Sequence, residues 1–343
     1  MAPQNQTIDT SAPAAQAATT ASVAIKNALG LEIEHAQIGH PELTRVFPDT
    51  TYPPIPVLPY EDRALKADPT LKNLLANATV THLAPKIGTE LTGIQLHELT
   101  DAQKDELALL VAQRGVVFFR DQKITMDQQV ELGRYYGPLH IHQNFGHPDG
   151  YPEVHVIYNT VETSGPFLKR HLLDPVAEWH TDTSYERQPP SYTTLKIVTA
   201  PPVGGDTLWS SSYEASKKQA EDGVARGQTL RRPIVEFAHP VVRTHPVTGR
   251  KALFVNPSFT RRIKELSTTE SDAVLAFLYK HIGEGHEFQV RFSWKKDSLA
   301  IWDNRITNHY VTFDYLPGNR HGVRVTPHGE IPFLDKDAAP ASE

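Results

Sequence analysis

Residues 178–185 read Glu178-Trp179-His180-Thr181-Asp182-Thr183-Ser184-Tyr185. In an extended chain, residues two apart point to the same face, so the imidazole of His180 and the carboxylate of Asp182 could share one metal ion. The His-x-Asp/Glu triplet alone is a weak signal. With 17 histidines and 40 acidic residues in 343, roughly two such triplets arise by chance. The chain has four: His40/Glu42, His147/Asp149, His180/Asp182 and His328/Glu330. His40 lies in an irregular N-terminal region, His147 and Asp149 flank Pro148 in a turn, and His328 follows Pro327 near the C-terminus. Only His180/Asp182 sits in a strand-rich segment. A third ligand from elsewhere would complete a facial triad, leaving open the metal positions that oxygen chemistry needs. The competing reading is a turn histidine beside an ordinary carboxylate.

A second group follows in residues 302–324. His309 comes just after an apolar strand, and Arg320 and Arg324 follow eleven and fifteen residues later. On a strand over Gly322–Thr326, the two arginines would share one face and Val323 and Val325 the other. An arginine facing a sheet interior is costly unless it meets an anion. A bound dicarboxylate suits the guanidinium fork, and an internal ion pair explains the pattern equally well.

The elements that must position these groups are legible in outline. Thr100 with Gln103, Thr125 with Gln128 and Ser267 with Glu270 are capping boxes, opening helices to about Arg114, Tyr136 and a stop at Gly283. A short helix is expected near 212–221. Val116–Arg120, Tyr192–Thr199, Thr207–Ser210, Leu299–Asp303 and Gly322–Thr326 read as strands, as does the alternation Phe288, Val290, Phe292, Trp294. Many short strands with few helices and no βαβ rhythm favour a mainly β fold with flanking helices, a jelly roll or double-stranded β-helix. The expected organisation is a disordered tail over 1–23, an N-terminal extension or arm over 24–80, a domain over 81–335 and a C-terminal tail over 336–343. The proline-rich stretch 52–60 must be extended, and Ile55, Val57 and Leu58 offer it apolar surface to bury.

Composition narrows the chemistry. The sequence has no cysteine, which excludes disulfides, thiolate zinc sites, iron–sulfur ligation and cysteine nucleophiles, and fits a reducing compartment. Net charge is -6, so no basic excess points to nucleic acid. No apolar run is long enough to span a bilayer. The start lacks the marks of a secretory or mitochondrial leader, so the expected location is the cytoplasm.

Six segments together resemble the taurine dioxygenase family of iron(II)/2-oxoglutarate enzymes, and within it the fungal alkylsulfonate dioxygenases. They are GVVFFRDQ (115–122), LHIH (139–142), WHTD (179–182), PPVGGDTLW (201–209), HPVVRTHPVTGRKALFVNPSFT (239–260) and WDNRITNHYVTFDYLPGNRHGVR (302–324). The resemblance implies that His180, Asp182 and His309 hold Fe(II), and that Thr207 and Arg320 meet the distal carboxylate of 2-oxoglutarate. It implies a sulfonate at His142 and Arg324, with Phe259 lining the pocket, and dioxygen as second cosubstrate. Hydroxylation next to sulfur would release sulfite and an aldehyde, with succinate and carbon dioxide. No catalytic side chain beyond the metal ligands is expected. Where the taurine enzymes hold the substrate amine with tyrosine and asparagine, this chain has Phe145 and Val176, which cannot accept a hydrogen bond from ammonium. Taurine is therefore expected to be a poor substrate.

The expected partner is a small anionic alkylsulfonate, with no nucleic acid or membrane partner, in a homo-oligomer. Three alternatives stay open at this level: the same chemistry on a sulfate ester or carboxylate, a zinc hydrolase on the same triad, and a non-enzymatic sensor. Trp179 and Trp302 read as core packing near the site. His171, His239, His245 and His281 read as structural or surface residues, and His321 as facing away from Arg320.

Overall fold

A computed structural model describes residues 25–26, 32–33, 39–159, 175–210, 231–315 and 318–338. The expected tail over 1–23, the helix near 212–221 and His171 lie outside the described residues. The chain divides into residues 1–37 and 38–343. In the first unit, β1 (Ile25–Lys26) pairs antiparallel with β2 (Glu32–Ile33).

The strands of the second unit are β3 (Thr79–His82), β4 (Thr89–Thr92), β5 (Val116–Phe119), β6 (Val154–Asn159), β7 (Tyr192–Thr199), β8 (Thr207–Ser210), β9 (Val242–Thr244), β10 (Lys251–Leu253), β11 (Gln289–Phe292), β12 (Leu299–Asp303), β13 (Asn308–Val311) and β14 (Arg320–Val325). Seven form one sheet in the order β3-β4-β5-β12-β7-β14-β6, in which only β4 and β5 run parallel. A smaller sheet has the order β11-β8-β13, and β9 pairs with β10. The helices are α1 (Lys72–Leu75), α2 (Asp101–Arg114), α3 (Met126–Tyr136) and α4 (Thr268–Glu284).

The two sheets are joined by aromatic packing. Phe118 of the large sheet stacks on Phe292 of the small one at 4.0 Å and meets Trp209 edge-on at 5.2 Å. On the other face of the large sheet, Leu107 and Val111 of α2 and Leu132 and Tyr136 of α3 pack with Val117, Phe119 and Ile301. Each such buried side chain contributes roughly 1.5–3 kcal/mol. This is the expected jelly roll with flanking helices, α2 and α3 on the large sheet and α4 against β8 and β13 of the small one.

All three capping boxes form, each with both reciprocal hydrogen bonds. Four expectations need correction. Gly283 does not stop α4, which runs on to Gly285. A Cβ on Gly283 would come within 3.3 Å of Trp179 Nε1, so this glycine admits a tryptophan against the helix. The alternating stretch 288–294 is a strand only over Gln289–Phe292, because Phe288 closes a 3-10 turn. The strand placed at Gly322–Thr326 begins at Arg320, through a register shift against β7 between His321 and Gly322. Finally, the stretch 52–60 lies along the body, but Val57 remains 50% exposed. Ile55 and Leu58 are half-buried as expected, and polar bonds add to the hold: Leu58 N–H donates to Gln188 Oε1 (2.6 Å), and Gln188 Nε2 donates to Leu58 O (2.9 Å).

Candidate metal centre and anion pocket

His180, Asp182 and His309 converge, with one ligand atom from each lying within 4.8 Å of the others. Among the described residues this is the only such group. His180 and His309 are far apart in sequence but paired across an antiparallel bridge, each N–H donating to the other's carbonyl (3.0 and 2.7 Å). The backbone therefore presents both imidazoles side by side, with ring centroids 4.2 Å apart. His180 Nδ1 bonds to Glu178 O at 2.9 Å, which leaves Nε2 with its lone pair for an ion. Burial, with His180, Arg324 and Arg320 nearby, holds His309 well below its ordinary pKa and so in the neutral form that can ligate. Two imidazoles and one carboxylate, without thiolate, suit a first-row ion such as iron(II).

Asp182 is fixed from behind. Its N–H donates to Asn304 Oδ1 (3.3 Å), and Thr193 Oγ1 donates to its Oδ2 (3.2 Å). Asn304 in turn donates to Thr193 Oγ1 (2.8 Å) and accepts from Trp302 Nε1 (3.0 Å). Arg324 Nη1 donates to Asp182 Oδ1. The next residue, Thr183, sits at φ 37°, a left-handed conformation that costs a β-branched residue about 1–3 kcal/mol and bends the chain sharply after the carboxylate.

Arg320 is fully buried on β14. Its Nε donates to Gly205 O (3.2 Å) and its Nη2 to Thr207 Oγ1 (3.2 Å), while Nη1 has no partner among the described residues. Gly204 and Gly205 both have positive φ (77° and 70°), and this turn aims the Gly205 carbonyl at the guanidinium. Thr207 Oγ1 also accepts from Trp294 Nε1 at 2.9 Å. With both lone pairs engaged, its O–H is left to donate. One Thr207 hydroxyl proton and one Arg320 N–H are thus buried, adjacent and unspent, which suits a carboxylate from outside the chain.

Across the large sheet, Arg324 faces a small cleft that it shares with His142, His155, His140 and Thr326. The ring of Phe145 lies 4.4 Å from both His142 and His155. His140 belongs to a buried cluster in which Glu186 Oε1 accepts from Arg232 Nη2 (2.7 Å) and lies 3.0 Å from His140 Nε2. Phe259 is buried 6.1 Å from the His180 ring, edge-on. Val176 lies beside α4, its Cγ2 3.5 Å from the Cβ position of Gly283. Among the other histidines, His245 is buried against Asp303 (2.9 Å), His239 bonds to Glu186 O (3.0 Å), and His321 turns away to Leu43 O (3.1 Å).

The sequence reading passed over Thr193, Asn304, Trp294 and His155. Asn304 and Trp294 carried a usable signal, being a polar side chain beside Asp303 and an indole at the end of an apolar alternation. Thr193 and His155 carried none, since their places follow from strand pairing.

Comparisons with known proteins agree with this geometry. Residues 79–326 match the family model described as taurine catabolism dioxygenase TauD, TfdA family. The chain is 42% identical over 319 residues to an alpha-ketoglutarate-dependent sulfonate dioxygenase of Saccharomyces cerevisiae, covering 84% of this chain and 77% of that protein. It is 30% identical over 283 residues to an alpha-ketoglutarate-dependent sulfate ester dioxygenase of Pseudomonas putida, covering 73% and 89%. The crystal structure of a taurine dioxygenase from Burkholderia xenovorans superposes with a TM-score of 0.62 at 33% identity, covering 78% of this chain and 97% of that one.

Proposed function

The chain belongs to the taurine catabolism dioxygenase TauD, TfdA family and is a 2-oxoglutarate-dependent dioxygenase; from that premise we propose that it hydroxylates the carbon next to sulfur in an alkylsulfonate. In this reading His180, Asp182 and His309 hold iron(II). With 2-oxoglutarate and dioxygen, the ion supplies an oxidant able to break a C–H bond, and the cosubstrate leaves as succinate and carbon dioxide. The hydroxylated substrate then collapses to an aldehyde and sulfite.

This chain's own part is placement. Arg320 and Thr207 receive the distal carboxylate of 2-oxoglutarate, and the observation that carries the reading is their pair of buried, unspent donors beside the triad. Arg324 and His142 receive the sulfonate, with Phe145, Val176 and Phe259 shaping the apolar side. A misplacement of about 1 Å at the reacting carbon costs on the order of 100-fold in rate, so these anchors set turnover. No side chain need act as a general base.

A relative named for sulfate esters, 30% identical, supports a second reading with sulfate as the product. A cysteine-free sequence fits a reducing compartment, and we extend the reading to a cytoplasmic, homo-oligomeric enzyme without nucleic-acid or membrane partners. Among the described residues no helix is long and apolar enough to cross a membrane.

The test is a panel of alkylsulfonates, alkyl sulfates and carboxylates, scored for succinate, sulfite and sulfate under iron(II). Succinate and sulfite should appear together with a sulfonate, and Asp182→Ala should abolish both. Near-normal turnover in that variant removes the triad, and succinate formed only with carboxylates removes the sulfonate.

A further inference from the structure

The cleft beside Arg324 gathers donors from more than one side. His155 stands directly opposite Arg324 in the pairing of β6 with β14, so both side chains emerge on the same face of the sheet. Its neighbours Val154 and Val156 point the other way, into apolar packing. His155 Nδ1 is sealed from solvent without a hydrogen-bond partner among the described residues, as is Arg324 Nε. The His155 ring is 5.1 Å from that of His142, and the Phe145 ring packs on both. His142 Nδ1 accepts from Asn144 N–H (3.4 Å), which puts the proton on Nε2 as a donor. Glu153 at the cleft rim is engaged by Arg134 at 3.1 Å.

We propose that His155 is a specificity-determining residue, supplying with His142 and Arg324 a three-sided donor set for the three terminal oxygens of an R–SO3 group. This rests on the sulfonate reading above and adds to it the reason a carboxylate is rejected. The three oxygens of R–SO3 point in three directions out of any one plane, whereas a carboxylate accepts its hydrogen bonds close to its own plane, so donors converging from three sides pair fully with the former and are misaligned for the latter. Burial first, then Arg324 and His142, hold His155 well below its ordinary pKa, so it serves as a neutral donor beside Arg324, whose Nη1 is held by Asp182.

The experiment is calorimetric binding to enzyme loaded with iron(II) and 2-oxoglutarate, without oxygen. Hexane-1-sulfonate, hexyl sulfate and heptanoate are compared in the parent, His155→Leu and His155→Gln. His155→Leu should weaken both sulfo compounds about 10- to 100-fold, and heptanoate by less than about threefold, with 2-oxoglutarate affinity unchanged. His155→Gln, which keeps a donor, should recover most of the loss. Undiminished sulfonate binding by His155→Leu, or equal losses for sulfonate and heptanoate, overturns the proposal while leaving the sulfonate reading intact. A parent that binds heptanoate but neither sulfo compound overturns both.

Discussion

Arg305 and Arg320 are both fully buried, and their surroundings differ in the one respect that separates structure from function. Arg305 is saturated by the chain itself. Its Nε and Nη2 grip Asp303 in bidentate fashion (both 2.8 Å), and Nη1 donates to Asp62 and to Glu330 Oε2 (3.3 Å). Burial works against its charge, but Asp303 and Asp62 outweigh it and raise its pKa well above the ordinary value. Arg320 has no ion-pair partner among the described residues, and burial lowers its pKa to about 10, against weaker opposition from Tyr315 and Asp206. A buried cation matched by the chain's own acids holds a fold together. One left with a free N–H beside a free hydroxyl suits an anion from outside the chain, the role proposed for Arg320.

Substitution breaks this contrast or sharpens it. Arg305→Met leaves Asp62 and Asp303 buried without their cation, Glu330 keeping Arg243, and should cost about 3–5 kcal/mol, read from urea unfolding. Arg320→Met removes a charge that has no ion-pair partner among the described residues. Its unfolding midpoint should stay within about 1 kcal/mol of the parent, while the KM for 2-oxoglutarate rises on the order of 100-fold. Equal destabilisation by the two substitutions would erase the distinction, and a rise for the sulfonate alone would mean the two arginines of β14 exchange roles.

At the anion end, His140 is pushed down to about 3, chiefly by burial, with the Glu186 bond opposing. The unfolded imidazole takes up a proton near its ordinary pKa of about 6.5, so below that pH the unfolded chain binds more protons than the folded one. Stability should therefore fall with decreasing pH from about 6.5, by about 1.4 kcal/mol per pH unit for this group, and level off near pH 3. His140→Gln should flatten that slope between pH 6.5 and 4.5; an unchanged slope assigns the acid sensitivity elsewhere. The smallest effects concern the extended stretch that leads into Asp62. Gln188→Ala should lose about 1–2 kcal/mol, and Val57→Ser less than about 0.5 kcal/mol, in the same unfolding assay. The reverse order would restore apolar burial as what holds the stretch.

Local features were legible in the sequence. The three capping boxes and the strands Tyr192–Thr199, Thr207–Ser210 and Leu299–Asp303 appear where turn chemistry and apolar patterning put them. The triplet His180/Asp182 was visible as a candidate, and residue-level reasoning left its partner open because the bridge to His309 is a long-range pairing that no local pattern encodes. His155 looked like an ordinary polar residue of a half-buried strand until β6 was laid against β14. Gly283 was misread because a glycine near a helix end usually terminates it, whereas here its missing side chain makes room for Trp179. Both failures are failures of register and packing, which depend on residues far away in the chain.

The sequence contains four tryptophans, at positions 179, 209, 294 and 302, and every one is buried around the centre. The Trp302 ring lies 5.0 Å from that of His309, Trp294 shares Thr207 with Arg320, and Trp179 stacks on Tyr310 at 5.4 Å. The intrinsic indole emission of this protein therefore originates from residues packed around the centre. Quenching on titration with a paramagnetic ion, or a spectral shift on adding the keto acid, would report occupancy without label or turnover.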